Sequence, residues 1–144
     1  MRRYEFDLID HELDLDYTPC KGEVVVVFRK GDGVVLMKAK GATRWTLPCA
    51  RIDMGETAEM AALRVAEGLF GAVVQEAEPR ALYDVTRHYS NVSVKRLFIV
   101  YSCRTDMELV SKVKDQDSEC SLHFGDLDEL SLEELDSQAL ADCL

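Results

Sequence analysis

Residues 22–38 constrain the fold more than any other stretch. Residues 22–29 read GEVVVVFR, a run of β-branched residues that marks a buried strand. Gly31-Asp32-Gly33 is a tight turn, and residues 34–38 (VVLMK) return as a second strand, so the segment predicts a β-hairpin. Upstream, residues 1–19 are polar and acidic, an N-terminal extension or an edge strand in which Tyr4, Phe6 and Leu8 alternate. Residues 41–56 lack periodicity and carry Gly and Pro, so a short strand at 45–47 followed by a loop is expected there.

From Thr57 the pattern turns helical. TAEMAALRVAEGLF is rich in Ala, Leu, Met and Glu, with Thr57 placed to cap the start and Gly71 to end the helix. Gly68 inside it costs about 1 kcal/mol against Ala. Two long strands follow at 82–88 and 92–103, joined by a turn at Ser90-Asn91. Residues 106–118 read as a loop with a helical turn, 119–124 as a strand, 131–135 as a short helix and 137–144 as a final helix. Strands, helix, strands, helix within 144 residues predict one α/β domain over residues 1–144, a mixed central sheet with helices on both faces.

Composition narrows the function classes. A hydrophobic fraction of 47% with 31% charged residues is globular, not disordered. A net charge of -10 argues against a DNA partner held by a basic surface. No apolar run approaches a membrane span, and charges occupy the place of a signal peptide's apolar region. Cys20, Cys49, Cys103, Cys120 and Cys143 are odd in number and widely spaced, which reads as free thiols in a cytoplasmic protein. His11, His88 and His123 show no metal spacing, and no serine or cysteine sits in a nucleophile motif.

The segment from Trp45 to Ala72 resembles the box of the Nudix (MutT-like) hydrolase family. That pattern is Gly, five residues, Glu, seven residues, then Arg-Glu-U-X-Glu-Glu-X-Gly-U, with U aliphatic. Gly55-Glu56 supplies the first glutamate, Arg64 follows after seven residues, and Gly71-Ala72 closes the box. The resemblance extends over about residues 20–135 and implies a Nudix α/β/α sandwich of nucleoside-diphosphate-hydrolase ancestry. The departures are equally specific. Ala50 replaces the first glycine, and Val65, Gly68 and Leu69 replace the three glutamates that hold metal in the family.

Magnesium needs oxygen ligands in near-octahedral geometry. Positions 65, 68 and 69 share one helix face, and there the chain offers an isopropyl group, a hydrogen and an isobutyl group. Glu67 is rotated roughly 200° from 65 or 69 and is no substitute. No metal is therefore expected to be bound, and metal-dependent hydrolysis would fall by orders of magnitude. The apolar residues either seal the former cleft or form a patch for a partner.

Glu56 and Arg64 read as a brace between loop and helix, Asp53 as a lone carboxylate too weak for a cation, and Trp45 as a core residue. Arg44, Arg51, Arg87 and Tyr89, with His88, are the candidate contacts for a nucleotide-like ligand. Tyr89 lies 18 residues after Gly71 (89 against 71), near the tyrosine of the family's diadenosine-polyphosphate hydrolases. The expectation is a binding protein for such a ligand or for a protein partner, a homodimer included. The alternative is a divergent hydrolase that uses magnesium or manganese on carboxylates outside the box, such as Asp115, Asp117 or Glu119.

Overall fold

The computed structural model describes residues 1–14, 22–72, 74, 77–110, 118–125 and 127–143. The strands are β1 (Arg2–Leu8), β2 (Gly22–Lys30), β3 (Gly33–Ala39), β4 (Cys49–Arg51), β5 (Glu78–Tyr89), β6 (Ser93–Arg104) and β7 (Ser118–His123). The helices are α1 (Ala58–Phe70) and α2 (Glu134–Cys143), with a 3-10 turn at Leu127–Leu130. One mixed sheet runs β1-β5-β6-β2-β3-β7, with β4 alongside β2. The β1–β5 and β2–β6 pairs are parallel and the others antiparallel.

The valine run of β2 explains the layering. Val24, Val26 and Phe28 enter one core with Ala61, Ala62, Ala66, Leu69 and Phe70 of α1. Val25 and Val27 enter a second core with Leu135, Ala139, Leu140 and Cys143 of α2. A strand apolar on both faces needs cover on both, and α1 and α2 provide it. Gly22 is required where β2 meets β6, since a Cβ there would lie 2.6 Å from the Leu97 carbonyl oxygen. Thr57 caps α1 by accepting the Met60 N–H, and Gly71, at φ 69°, ends it.

Three expected elements differ. Residues 45–47 form no strand; Thr46 makes a single bridge to Met37 of β3, and the ladder resumes at β4 on β2. Pro48 stands between them without an N–H to donate, and its carbonyl accepts from Val26. β2 and β3 pair only near their turn, so residues 46–51 wedge between them. β5 begins at Glu78 with an irregularity at Pro79, a position where a strand tolerates proline. The two expected C-terminal helices are one. Ser131, at φ 53°, interrupts after the 3-10 turn, and the Ser137 N–H donates to Glu133 without a break.

Candidate functional site

The loop between β4 and α1 is held by one carboxylate. Glu56 is only 13% exposed at its side chain. Its Oε1 accepts the Asp53 N–H at 3.0 Å and Arg64 Nη2 at 3.0 Å, and its Oε2 accepts Arg64 Nε at 3.0 Å. Arg64 Nη2 also donates to the Arg51 carbonyl at 2.7 Å and lies 3.5 Å from Asp53. The Arg64 hydrogen bond holds the Glu56 carboxyl below the usual carboxylate range. A two-point guanidinium–carboxylate contact fixes geometry, so strand, loop and helix move as one piece. Gly55, at φ 78°, turns the chain into this brace.

The helix face that carries metal in the family points into protein here. Leu69 is 1% exposed and packed among Val24, Phe28 and Ile52, and Val65 is half-buried against the same core. The segment after β6 closes over it. The Val110 N–H donates to the Leu69 carbonyl at 2.9 Å, and Leu109 packs on the core. Of the two readings of this face, sealing is what the packing gives. These residues do not fit magnesium or manganese, because the face supplies hydrocarbon where a hard cation needs oxygen. Among the described residues no three His, Cys, Asp or Glu side chains converge on one point. Glu119 sits on the edge strand β7, 3.7 Å from Lys38, while Asp115 and Asp117 lie outside the described residues.

The other sheet face keeps an open cleft of about 430 Å³, lined by Phe6, Leu8, Arg44, Arg87, Glu133, Glu134 and Leu135. Register explains its floor. Phe6 of β1 pairs with Arg87 of β5, Leu8 pairs with Tyr89, and alternate residues share a face. The Arg87 guanidinium carbon lies 5.3 Å from the Phe98 ring centre and 6.0 Å from that of Phe6, so apolar rings flank it. His88 falls on the opposite face, 2.8 Å from Ser93 Oγ and 3.5 Å from Glu5. Strand alternation therefore keeps it out of the lining of this cleft. Trp45 stacks edge-on with His123 at 4.7 Å and packs on the α2-side core.

Within the field of Arg87 lies a half-buried ion pair. Glu23 accepts from Arg96 at 3.0 Å, and burial lifts its carboxyl above the usual range against the pull of Arg87 and Arg51. Burial also raises Asp136 to about 6, with Glu133 adding to the effect and a hydrogen bond to the Leu47 backbone opposing it. Cys49 is exposed on β4. Cys49, Cys120 and Cys143 are free thiols; Cys20 lies outside the described residues. The lining residues Phe6, Leu8, Glu133 and Glu134 had no motif to announce them. Only the period-2 alternation of Tyr4, Phe6 and Leu8 hinted at an inward face.

The NUDIX domain family profile matches residues 21–143. Solved structures agree in fold. The Nudix domain of NrtR from Shewanella oneidensis, in complex with ADP ribose, has a TM-score of 0.70 at 15% identity, over 90% of each chain. A pyrophosphohydrolase from Bacillus subtilis gives 0.66 at 16%, over 90% of this chain and 84% of that one. A MutT Nudix hydrolase from Burkholderia pseudomallei gives 0.66 at 22%, over 88% and 100%. No curated protein is similar enough in sequence to be matched. No described helix is long and apolar enough to cross a membrane. Box, layering and profile agree, and the chain belongs to the Nudix domain family.

Proposed function

We propose that this chain is a Nudix-fold binding protein whose cleft takes a nucleotide-like anion without a divalent metal. One observation carries the reading: the metal-bearing helix face is packed into the core, while the opposite sheet face stays open and gathers Arg44 and Arg87. Two guanidinium groups suit a phosphate or carboxylate. The cleft also presents Glu133 and Glu134, so its rim is close to charge-balanced. That suits a ligand with one anionic group and a hydrogen-bond-donating body better than a bare polyphosphate. Its volume is in the range of small-molecule sites, about 300–1,000 Å³. The ADP ribose bound by the NrtR Nudix domain is a ligand of this general kind. Arg51 and Tyr89 stand in the second rank: the Arg51 charge acts on Glu23, and Tyr89 pairs in register with the cleft residue Leu8. The free thiols suit a reducing, cytoplasmic setting.

A second reading rests on Asp136. It follows the cleft-lining residues Glu133, Glu134 and Leu135 on the chain, and its carboxyl, raised by burial to about 6, would be the acid or base of a metal-independent hydrolysis. Binding and hydrolysis separate in one experiment, a thermal-shift screen of nucleoside mono- and diphosphates in EDTA followed by product analysis. The binding reading expects a saturable rise, about 2.7 kcal/mol at a ligand concentration of 100 Kd, that Arg87→Ala abolishes. Product formation that Asp136→Asn stops would favour the hydrolase. A shift that needs magnesium or survives Arg87→Ala would count against both.

A further inference from the structure

We propose that the outer edge of β1 is a contact surface for a second copy of this chain, joined antiparallel about Tyr4. β1 closes one end of the sheet and, among the described residues, pairs only with β5, so its other edge offers backbone donors and acceptors to an incoming strand. β7 closes the opposite end, but its SECSLH carries a carboxylate and no lysine or arginine to answer it. β1 reads RRYEFDL, and its charges complement themselves.

Side chains directly opposite in an antiparallel pair share a face. With Tyr4 opposite Tyr4, Arg3 of each copy faces Glu5 of the other, and Arg2 of each faces Phe6 of the other. Two ion pairs and two cation–aromatic contacts result. Registers centred on Arg3 or Glu5 set like charges opposite each other. Arg3 and Glu5, which carry the ion pairs, are accessible, while Arg2 lies 4.0 Å from Asp142 and Phe6 is part-buried. Arg3 is 81% exposed and sits 4.0 Å from Asp84; Glu5 is 75% exposed and sits 3.5 Å from His88. On the other face Tyr4 lies edge-on against Tyr83 at 5.6 Å and parallel to Phe6 at 6.3 Å, so the strand presents a fixed aromatic platform. Charge complementarity of this edge with itself selects another copy as the occupant. Residues 2–6 of each strand make a small contact, and the net charge of -10 on each chain opposes it, so the dimer is weak and concentration-dependent.

The test is sedimentation equilibrium on the full chain from about 10 µM to about 500 µM, a range that brackets weak association. The wild type should shift from monomer toward dimer. Arg3→Glu and Glu5→Arg should each weaken dimerisation about tenfold or more, since two attractive pairs become repulsive. An equimolar mixture of the two variants should dimerise again. In that mixed pair the carboxylates at positions 3 and 5 of one variant face the guanidinium groups at positions 5 and 3 of the other. Melting curves check that both variants stay folded. A wild type that is monomeric throughout, single variants that still dimerise, or a mixture that stays monomeric overturns the proposal.

Discussion

Leu69→Glu puts back the carboxylate that the family uses for metal, at a position the fold has made interior. Leu69 is 1% exposed, and its carbonyl is held by the Val110 N–H at 2.9 Å. Removing a buried leucine side chain costs about 2–5 kcal/mol. The new carboxyl must also be desolvated, and each unit by which burial raises its pKa adds about 1.4 kcal/mol at a pH where it would otherwise ionise. Together the loss is about 4–6 kcal/mol at pH 8, which for a chain this long lowers Tm by about 12–20 °C. A carboxyl with a raised folded-state pKa keeps its proton at pH 5, so the loss there is smaller. Val65→Glu starts from a half-buried site and costs about 1 kcal/mol. The assay is thermal melting by circular dichroism at pH 5 and pH 8, with and without magnesium. A Leu69→Glu variant that melts within about 3 °C of wild type, or that magnesium stabilises saturably, refutes the claim that this face is sealed core.

Other outcomes follow from single residues. Asp136, raised to about 6, binds its proton more tightly folded than unfolded, so its contribution favours folding at low pH and is lost as pH rises through 6. Asp136→Asn keeps an acceptor for the Leu47 N–H and should stabilise by about 1–2 kcal/mol at pH 8 and little at pH 4, read from denaturant midpoints. Arg64→Ala removes the brace and should lower Tm by about 3 °C at neutral pH. Since Arg64 depresses the Glu56 pKa, that contribution is present above the ordinary carboxylate range and lost as pH falls through the lowered value; the wild-type-to-variant gap should close in acid. Gly22→Ala drives a Cβ against the Leu97 carbonyl and should cost about 2–3 kcal/mol, with equilibrium unfolding as the check.

Much of the fold was legible because its signals are local. The valines of β2, the Thr57 and Gly71 caps of α1 and the Gly31–Gly33 turn each act within a few residues. The family spacing then placed the brace of Glu56 with Arg64. What sequence could not give was set by pairing across distance. Pro48 moves the chain from β3 to β2, so the strand expected at 45–47 lies at Cys49–Arg51. The cleft was half legible: Arg44 and Arg87 were recognisable as guanidinium groups, but Phe6, Glu133 and Glu134 join them only through the register of β1 and the start of α2. His88 illustrates the same limit, since one residue along a strand reverses the face. Whether Val65 and Leu69 seal or expose depended on the segment carrying Leu109 and Val110, which no helical pattern foretells.

The central claim is that a nucleotide-like anion binds this Nudix fold through Arg44 and Arg87 without a metal. Calorimetric titration of the thermal-shift hit measures it most directly, run in EDTA and again in excess magnesium, with the cell contents analysed afterwards. The account predicts the same Kd in both buffers and the ligand recovered intact. Affinity that appears only with magnesium, or ligand recovered as hydrolysis products, would contradict it.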